Sequence, residues 1–157
     1  MKVTLLMVGK TDKSYIKEAV DVYTKRLVHY IPFEIQVIPD IKNVKKLSTE
    51  QLKQKEGELI LNALSSQAEL ILLDEGGKDF SSKGFSKLLE KKMISGTRQL
   101  CFVIGGAYGF SDDVYKKALI KFSLSKMTFS HQMVRMIFVE QLYRAFTIIK
   151  GEPYHHE

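Results

Sequence analysis

Two hydrophobic patterns alternate along this chain: short continuous apolar runs, and longer stretches with a helical period. Val3 to Val8 is apolar-rich and stops at Gly9, the pattern of a strand buried on both faces. Lys10-Thr11-Asp12-Lys13-Ser14 is a loop containing helix-capping residue types. Ile16, Ala19, Val20, Tyr23 and Leu27 then repeat as one face of an amphipathic helix, which Pro32 brings to an end. Phe33-Glu34-Ile35-Gln36-Val37 alternates strictly, which predicts a strand with one wetter face at a sheet edge. Ser48-Thr49-Glu50-Gln51 has the form of a capping box, and Leu52, Glu56, Leu59, Ile60 and Ala63 follow at helical spacing.

The second half repeats the alternation. Leu70 to Leu73 is the third predicted strand, closed by Asp74-Glu75-Gly76-Gly77. Ser81 or Ser82 caps a helix that carries Phe85, Leu88, Leu89 and Met93 on one face. Leu100 to Ile104 is the fourth strand, and Gly105-Gly106 stops it. Ser111-Asp112-Asp113 opens a short helix, with acids at its positive end, and Ile120 to Leu124 is the fifth strand. The last helix spans Gln132 to Lys150, with Gly151 placed as a C-terminal cap and Pro153 as a stop. Alternating strands and helices, most strands being plain apolar runs, predict an α/β domain with a mainly parallel sheet. The last helix has apolar residues on more than one face: Met133, Ile137, Phe138, Leu142, Phe146 and Ile149. A small domain does not easily bury them all, which predicts a two-fold homodimer.

Composition narrows the class. With 157 residues, 45% hydrophobic and 27% charged, the chain has the makings of one globular domain. A net charge of +6 favours an anionic partner, nucleic acid first. The lysine-rich stretch from Ile41 to Leu47 is either a solvated loop or a phosphate-binding patch. A single cysteine, Cys101, excludes a disulfide framework and fits a reducing cytoplasm. His29, His131, His155 and His156 lack metal-ligand spacing, so no metal is expected. No run reaches the ~18 apolar residues of a membrane span, and no membrane partner is expected.

Ligands of open α/β sheets bind beyond the carboxyl ends of the strands. Three such ends carry suitable residues: Leu73-Asp74-Glu75-Gly76-Gly77, Ile104-Gly105-Gly106 and Leu124-Ser125-Lys126-Met127. Gly105-Gly106-Ala107-Tyr108-Gly109 does not match the dinucleotide fingerprint, and no Walker A, H-E-x-x-H or G-x-S-x-G sequence occurs. Arg135, Glu140, Tyr143 and Arg144 give the last helix more polar groups than burial requires, and Glu140 and Arg144 are one turn apart.

Longer runs carry a resemblance. Phe102 to Gly109, Leu124 to Arg135, Glu140 to Phe146 and the closing Tyr154-His155 resemble the RlmH family, bacterial methyltransferases of large-subunit ribosomal RNA in the SPOUT superfamily. Val8-Gly9-Lys10, Tyr23 to Leu27 and Lys55-Glu56-Gly57 resemble it too, so the likeness spans the whole chain. One departure is Ser130, where the family usually has proline, which is expected to loosen that loop. The resemblance implies one SPOUT domain over residues 1–157, with a C-terminal trefoil knot from roughly residue 70 onward. It implies S-adenosyl-L-methionine as cofactor, held by Leu73, Gly105, Leu124, Ser125, Lys126, Met127, Thr128 and Phe129. It implies a homodimer that methylates N3 of a pseudouridine in 23S rRNA of the assembled ribosome. For the chemistry it points to Arg135, Glu140, Arg144, Tyr154 and His155. The arginines would hold phosphate or the anionic base, Glu140 would orient an arginine, and Tyr154 or His155 would contact the base or shuttle a proton. The general base is open among them. The alternative is a non-catalytic RNA- or ribosome-binding α/β protein, which needs no cofactor.

Overall fold

A computed structural model describes residues 1–156. The strands are β1 (Lys2–Val8), β2 (Phe33–Ile38), β3 (Ala68–Asp79), β4 (Gln99–Ile104) and β5 (Ile120–Ser123). The helices are α1 (Ser14–Leu27), α2 (Thr49–Ala63), α3 (Ser82–Ile94), α4 (Asp112–Lys117) and α5 (His131–Lys150), with a 3-10 turn at Val44–Lys46. The strands form one sheet in the order β2-β1-β4-β3-β5, and every pairing is parallel. β2 lies at an edge, as its alternation predicts.

Strand pleating divides the core in two. Val3, Leu5 and Met7 of β1, with Leu100, Phe102 and Ile104 of β4, meet α1, α3 and α5 through Ile16, Val20, Phe85, Leu89, Phe138 and Leu142. The alternate residues Leu6, Val8, Cys101 and Val103 meet α2 and α4 through Ile60 and Val114. Both faces are covered, which is why the strands read as unbroken apolar runs. Cys101 is among these buried groups, and burial pushes its thiol up to about 12.

Local chemistry sets the helix ends. Ser48 and Gln51 form the reciprocal capping box of α2. Ser81, not Ser82, caps α3 by accepting from Gly84 N–H at 3.0 Å. Gly151 closes α5 with φ +69°, a left-handed conformation natural to glycine. The capping residues expected before α1 do not cap it: Lys13 holds that position with no side-chain bond. Thr11 is engaged elsewhere, as the hydroxyl that accepts from Arg135 Nη1 at 3.0 Å.

Two expectations are corrected. Phe138, Leu142 and Phe146 are buried within the single chain, against the sheet and its flanking helices, so they do not call for a second copy. Met133, Met136, Ile137, Tyr143 and Ile149 remain half-buried. The third strand does not end at Asp74-Glu75-Gly76-Gly77. β3 runs on to Asp79, and its register with β5 slips between Leu73 and Lys78, both of which pair with Phe122. The four residues in between bulge out of the ladder. Gly77 makes this possible, because a Cβ there would lie 2.5 Å from the carbonyl carbon of Lys121. At Gly76 the nearest neighbour of a Cβ would be the Asp74 carboxylate, at 3.2 Å.

Gly77→Ala is therefore expected to cost about 1–3 kcal/mol by forcing β3 off β5, and Gly76→Ala much less. Urea denaturation of the two variants would check this; equal midpoints would mean the contact with β5 is not what requires glycine.

Candidate active site

The β3 bulge, the turn after β4 and the loop before α5 enclose a cavity of about 560 Å³ at the carboxyl edge of the sheet. Leu73, Asp74 and Glu75 come from the bulge; residues 104–110 form a second wall; Leu124, Ser125, residues 127–131 and Val134 form the third. Leu73, Gly105, Leu124, Ser125, Met127, Thr128 and Phe129, all expected as cofactor residues, line it together. Lys126 does not, and its side chain is exposed.

The third wall is held by its own small polar residues. Ser123 Oγ donates to the Ser125 carbonyl at 2.8 Å, and Ser125 Oγ accepts from Met127 N–H at 2.9 Å. Thr128 Oγ1 donates to Glu75 Oε2 at 2.8 Å, tying this loop to the bulge. Ser130 Oγ accepts from Met133 N–H at 3.3 Å. The serine expected to loosen the loop is thus the N-cap of α5, anchoring the end it was expected to free.

The bulge is fixed in turn by Asp74, which accepts from Gly76 N–H at 2.8 Å and from the Tyr115 hydroxyl at 2.6 Å. Burial, then this bond to Asp74, pushes the Tyr115 phenol up to about 12, so it stays a donor. The glycine wall rests on two side chains to which the sequence assigned no site role, Phe110 and Glu56. A Cβ on Gly105 would lie 2.8 Å from the Phe110 ring, so bulk there would displace Phe110 rather than project directly into the cavity. Behind Gly106 lies the half-buried carboxylate of Glu56, which accepts its backbone N–H and would be 2.6 Å from a Cβ. Burial, then the charge of Asp40, raises the Glu56 pKa, and the Gly106 bond opposes them. The available signal was Gly57, an isolated glycine in a helix, where a Cβ would lie 2.2 Å from Ser111 Oγ. It lets α2 approach α4 and brings Glu56 under the turn.

The residues expected to carry the chemistry are not in this cavity. Glu140 Oε1 accepts from Arg144 Nη2 at 2.5 Å and from the Tyr154 hydroxyl at 3.1 Å, and its Oε2 accepts from Gln141 at 2.7 Å. Tyr154 also meets the Tyr23 hydroxyl at 3.3 Å and packs against Tyr143 and the Arg144 guanidinium, each 4.8 Å from its ring. Burial and then these partners raise the Tyr154 pKa, so its phenol is a donor and not a base at neutral pH. His155, half-buried, follows directly. Along α5, Glu140 and Arg144 are about 9 and 15 Å from the wall residue Val134.

Arg135 is corrected as a ligand-binding group. It is fully buried, with Nη2 donating to the Val8 carbonyl at 2.7 Å and Nη1 to Thr11. Burial lowers its pKa, opposed by the charges of Asp12 and Asp40. Its guanidinium ties α5 to the end of β1 and has no open path to a phosphate.

Fold and cavity together define a parallel α/β protein whose ligand cleft is built from a strand bulge, a glycine turn and the loop before the last helix. The chain belongs to the SPOUT methyltransferase family: the family model described as "Predicted SPOUT methyltransferase" matches residues 1–155. It is 62% identical over 157 residues to proteins of Parabacteroides distasonis and Flavobacterium johnsoniae, each named "Ribosomal RNA large subunit methyltransferase H". Both matches cover 100% of this chain and 100% of the relative. A solved structure of a probable methylase family protein from Haemophilus influenzae shares the fold, with a TM-score of 0.55 and 11% identity over 99% of this chain and 70% of that one. Among the described residues there is no group of three or more metal-ligating side chains and no helix long and apolar enough to cross a membrane.

The raised pKa of Glu56 predicts a pH dependence. The folded state holds this proton more tightly than the unfolded state, so its stabilising effect is present below the ordinary carboxylate range and is lost as pH rises through the folded value. Glu56→Gln keeps an oxygen for Gly106 and removes the titration. Its urea midpoint is expected to gain on wild type as pH rises above the ordinary carboxylate range. A difference independent of pH would contradict a buried charge at this position.

Proposed function

We propose that this chain transfers a methyl group from S-adenosyl-L-methionine to N3 of a pseudouridine in 23S rRNA of the assembled ribosome, in the cytoplasm. The observation that carries the proposal is the cleft at the carboxyl edge, lined by the glycine turn and by residues 124–130 in a chain of the SPOUT methyltransferase family. Two relatives 62% identical over their whole length are named for large-subunit ribosomal RNA methylation, which supports the substrate. We further propose one domain over residues 1–157, with the segment from roughly residue 70 onward forming a trefoil knot.

The residues present fit the cofactor. About 560 Å³ is ample for a nucleoside-sized ligand. Leu73, Ile104, Phe122 and Leu124 give apolar walls, while Asp74 and Glu75 put carboxylates at the rim, suited to ribose hydroxyls and to a positively charged group. The cofactor supplies an electrophilic methyl on its sulfonium sulfur. The chain's task is to align the acceptor nitrogen and manage the proton it loses. N3 carries an imino proton, and negative charge develops on the base as that proton leaves. The Arg144 guanidinium is suited to stabilise that charge, oriented by its two bonds to Glu140. Tyr154, whose one hydroxyl proton goes to Glu140 in the free chain, is suited to turn that proton to a carbonyl of the base.

These groups and the cleft lie apart in one chain, so the complete site is proposed to form in a homodimer, with α5 and the tail of one copy facing the cleft of the other. The half-buried apolar residues Met133, Met136 and Ile137 on α5 supply surface for that pairing.

Labelled cofactor is expected to methylate assembled ribosomes in preference to naked rRNA, and light scattering to give twice the 18.0 kDa chain mass. No transfer to either RNA form would leave a binding protein instead. Deleting Tyr154 to Glu157 is expected to preserve folding and dimerisation, weaken cofactor binding modestly and slow methyl transfer by ~10²-fold or more. Mixing this truncated chain with Gly105→Val, which spoils the cleft by displacing Phe110, should restore activity in mixed dimers. Failure of that rescue, with mixed dimers present, would argue against a shared site.

A further inference from the structure

A parallel sheet sends every strand's carboxyl end to one edge. Here the cleft occupies the part of that edge over β4, β3 and β5. The part over β1 and β2 carries the loops that follow those strands, and these hold Lys10, Lys13, Lys42, Lys45 and Lys46. All five are exposed, and none takes part in an ion pair among the described residues.

The acids of the same edge lie near the chain's own polar groups, and Asp12, Asp40 and Glu75 are exposed. Asp12 and Asp40 act on the buried Arg135, Asp74 accepts from Tyr115, and Glu75 accepts from Thr128. Bonds from neutral hydroxyls leave these carboxylates charged, but in the loops after β1 and β2 five lysines stand against only Asp12 and Asp40, so that part of the edge presents net positive potential to solvent. Two tyrosines add to it. Tyr15, at the start of α1, is 62% exposed, and Tyr108, on the glycine wall of the cleft, is 59% exposed. Neither packs on another ring among the described residues.

The basic loops are also joined to the cleft. Gln132, in the first turn of α5, accepts from Asp12 N–H at 3.0 Å and donates to the Lys10 carbonyl at 3.1 Å, next to the cleft-lining His131. Arg135 bonds Val8 and Thr11 from the same helix. The lysines of the β1 loop thus stand at a defined offset from the cleft.

We propose that the carboxyl edge over β1 and β2 is the RNA-docking surface of this enzyme. Lys10, Lys13, Lys42, Lys45 and Lys46 take the phosphates of the strand flanking the target nucleotide, and Tyr108 stacks an unpaired base beside the cleft. Lysine on phosphate with aromatic rings for bases is the chemistry of single-stranded RNA binding. The proposal rests on methylation of ribosomal RNA and adds where that RNA lies.

The test compares two triple variants of the full chain. Lys42→Gln, Lys45→Gln and Lys46→Gln removes charge from the proposed surface. Lys87→Gln, Lys91→Gln and Lys117→Gln removes the same charge from α3 and α4. Ribosome affinity is measured against potassium chloride concentration. Each lost phosphate contact should flatten the log–log salt dependence by about 0.7–0.9, so the first variant should lose about 2–3 and the second almost nothing. The first should also raise KM for ribosomes at least ~10-fold, with kcat near wild type and cofactor affinity by calorimetry unchanged. Tyr108→Ala should weaken ribosome binding without flattening the salt dependence. A wild-type salt slope in the first variant, or an equal loss in the second, would overturn the docking surface. Wild-type enzyme that binds ribosomes without methylating them would instead overturn the reaction on which it rests, and the two failures are read from separate measurements.

Discussion

All five strands point the same way, and the rest of the molecule follows from that constraint. Parallel neighbours cannot be joined by hairpins, so each connection crosses a face of the sheet. Helices then cover both faces, β1, β4 and most of β3 are sealed, and their polar loops collect at one edge. Cleft, bulge and basic loops are neighbours for this reason, although they come from five separate parts of the sequence.

The edge is made rigid by a few polar groups, all but Ser130 buried or half-buried, each holding a backbone turn. Arg135 reaches from α5 to the Val8 carbonyl at the end of β1. Glu56 reaches from α2 to the N–H of Gly106. Asp74 clamps Gly76 and Tyr115, and Ser125 and Ser130 shape the loop before α5. A buried charge is costly unless it is well bonded, so such groups persist where backbone geometry must be exact to a fraction of an ångström. That is the requirement of an alignment-limited methyl transfer.

The chain keeps its second polar cluster elsewhere. Glu140, Arg144, Tyr23 and Tyr154 complete one another on the α1–α5 side. Glu140 and Arg144 find each other through one helical turn, a relation visible in their spacing. Tyr23 and Tyr154 are 131 residues apart and meet only because α1 packs on α5.

Much of this was legible in the chain itself, because it depends on neighbours in sequence. Hydrophobic period located the five strands and the four longer helices, Ser111-Asp112-Asp113 marked the start of α4, and Ser48-Thr49-Glu50-Gln51 and Gly151 marked helix ends through bonds spanning a few residues. Residues 104–109 and, Lys126 apart, 124–131, which lie in runs that carry the resemblance, line two of the three walls of the cleft. What failed depended on contacts distant in sequence. Asp74 to Gly77 look like a strand end because glycines usually are one; only β5, packed against Gly77, makes them a bulge within a longer strand. Arg135 looks like a phosphate ligand on a helix face, and only the position of Val8 turns it inward. Lys55-Glu56-Gly57 stands out in the sequence, but not the role of Glu56, since the Gly106 N–H that it holds lies 50 positions away. Periodicity and capping are local in sequence and could be read directly; which polar group meets which backbone atom was decided by the packing of the sheet.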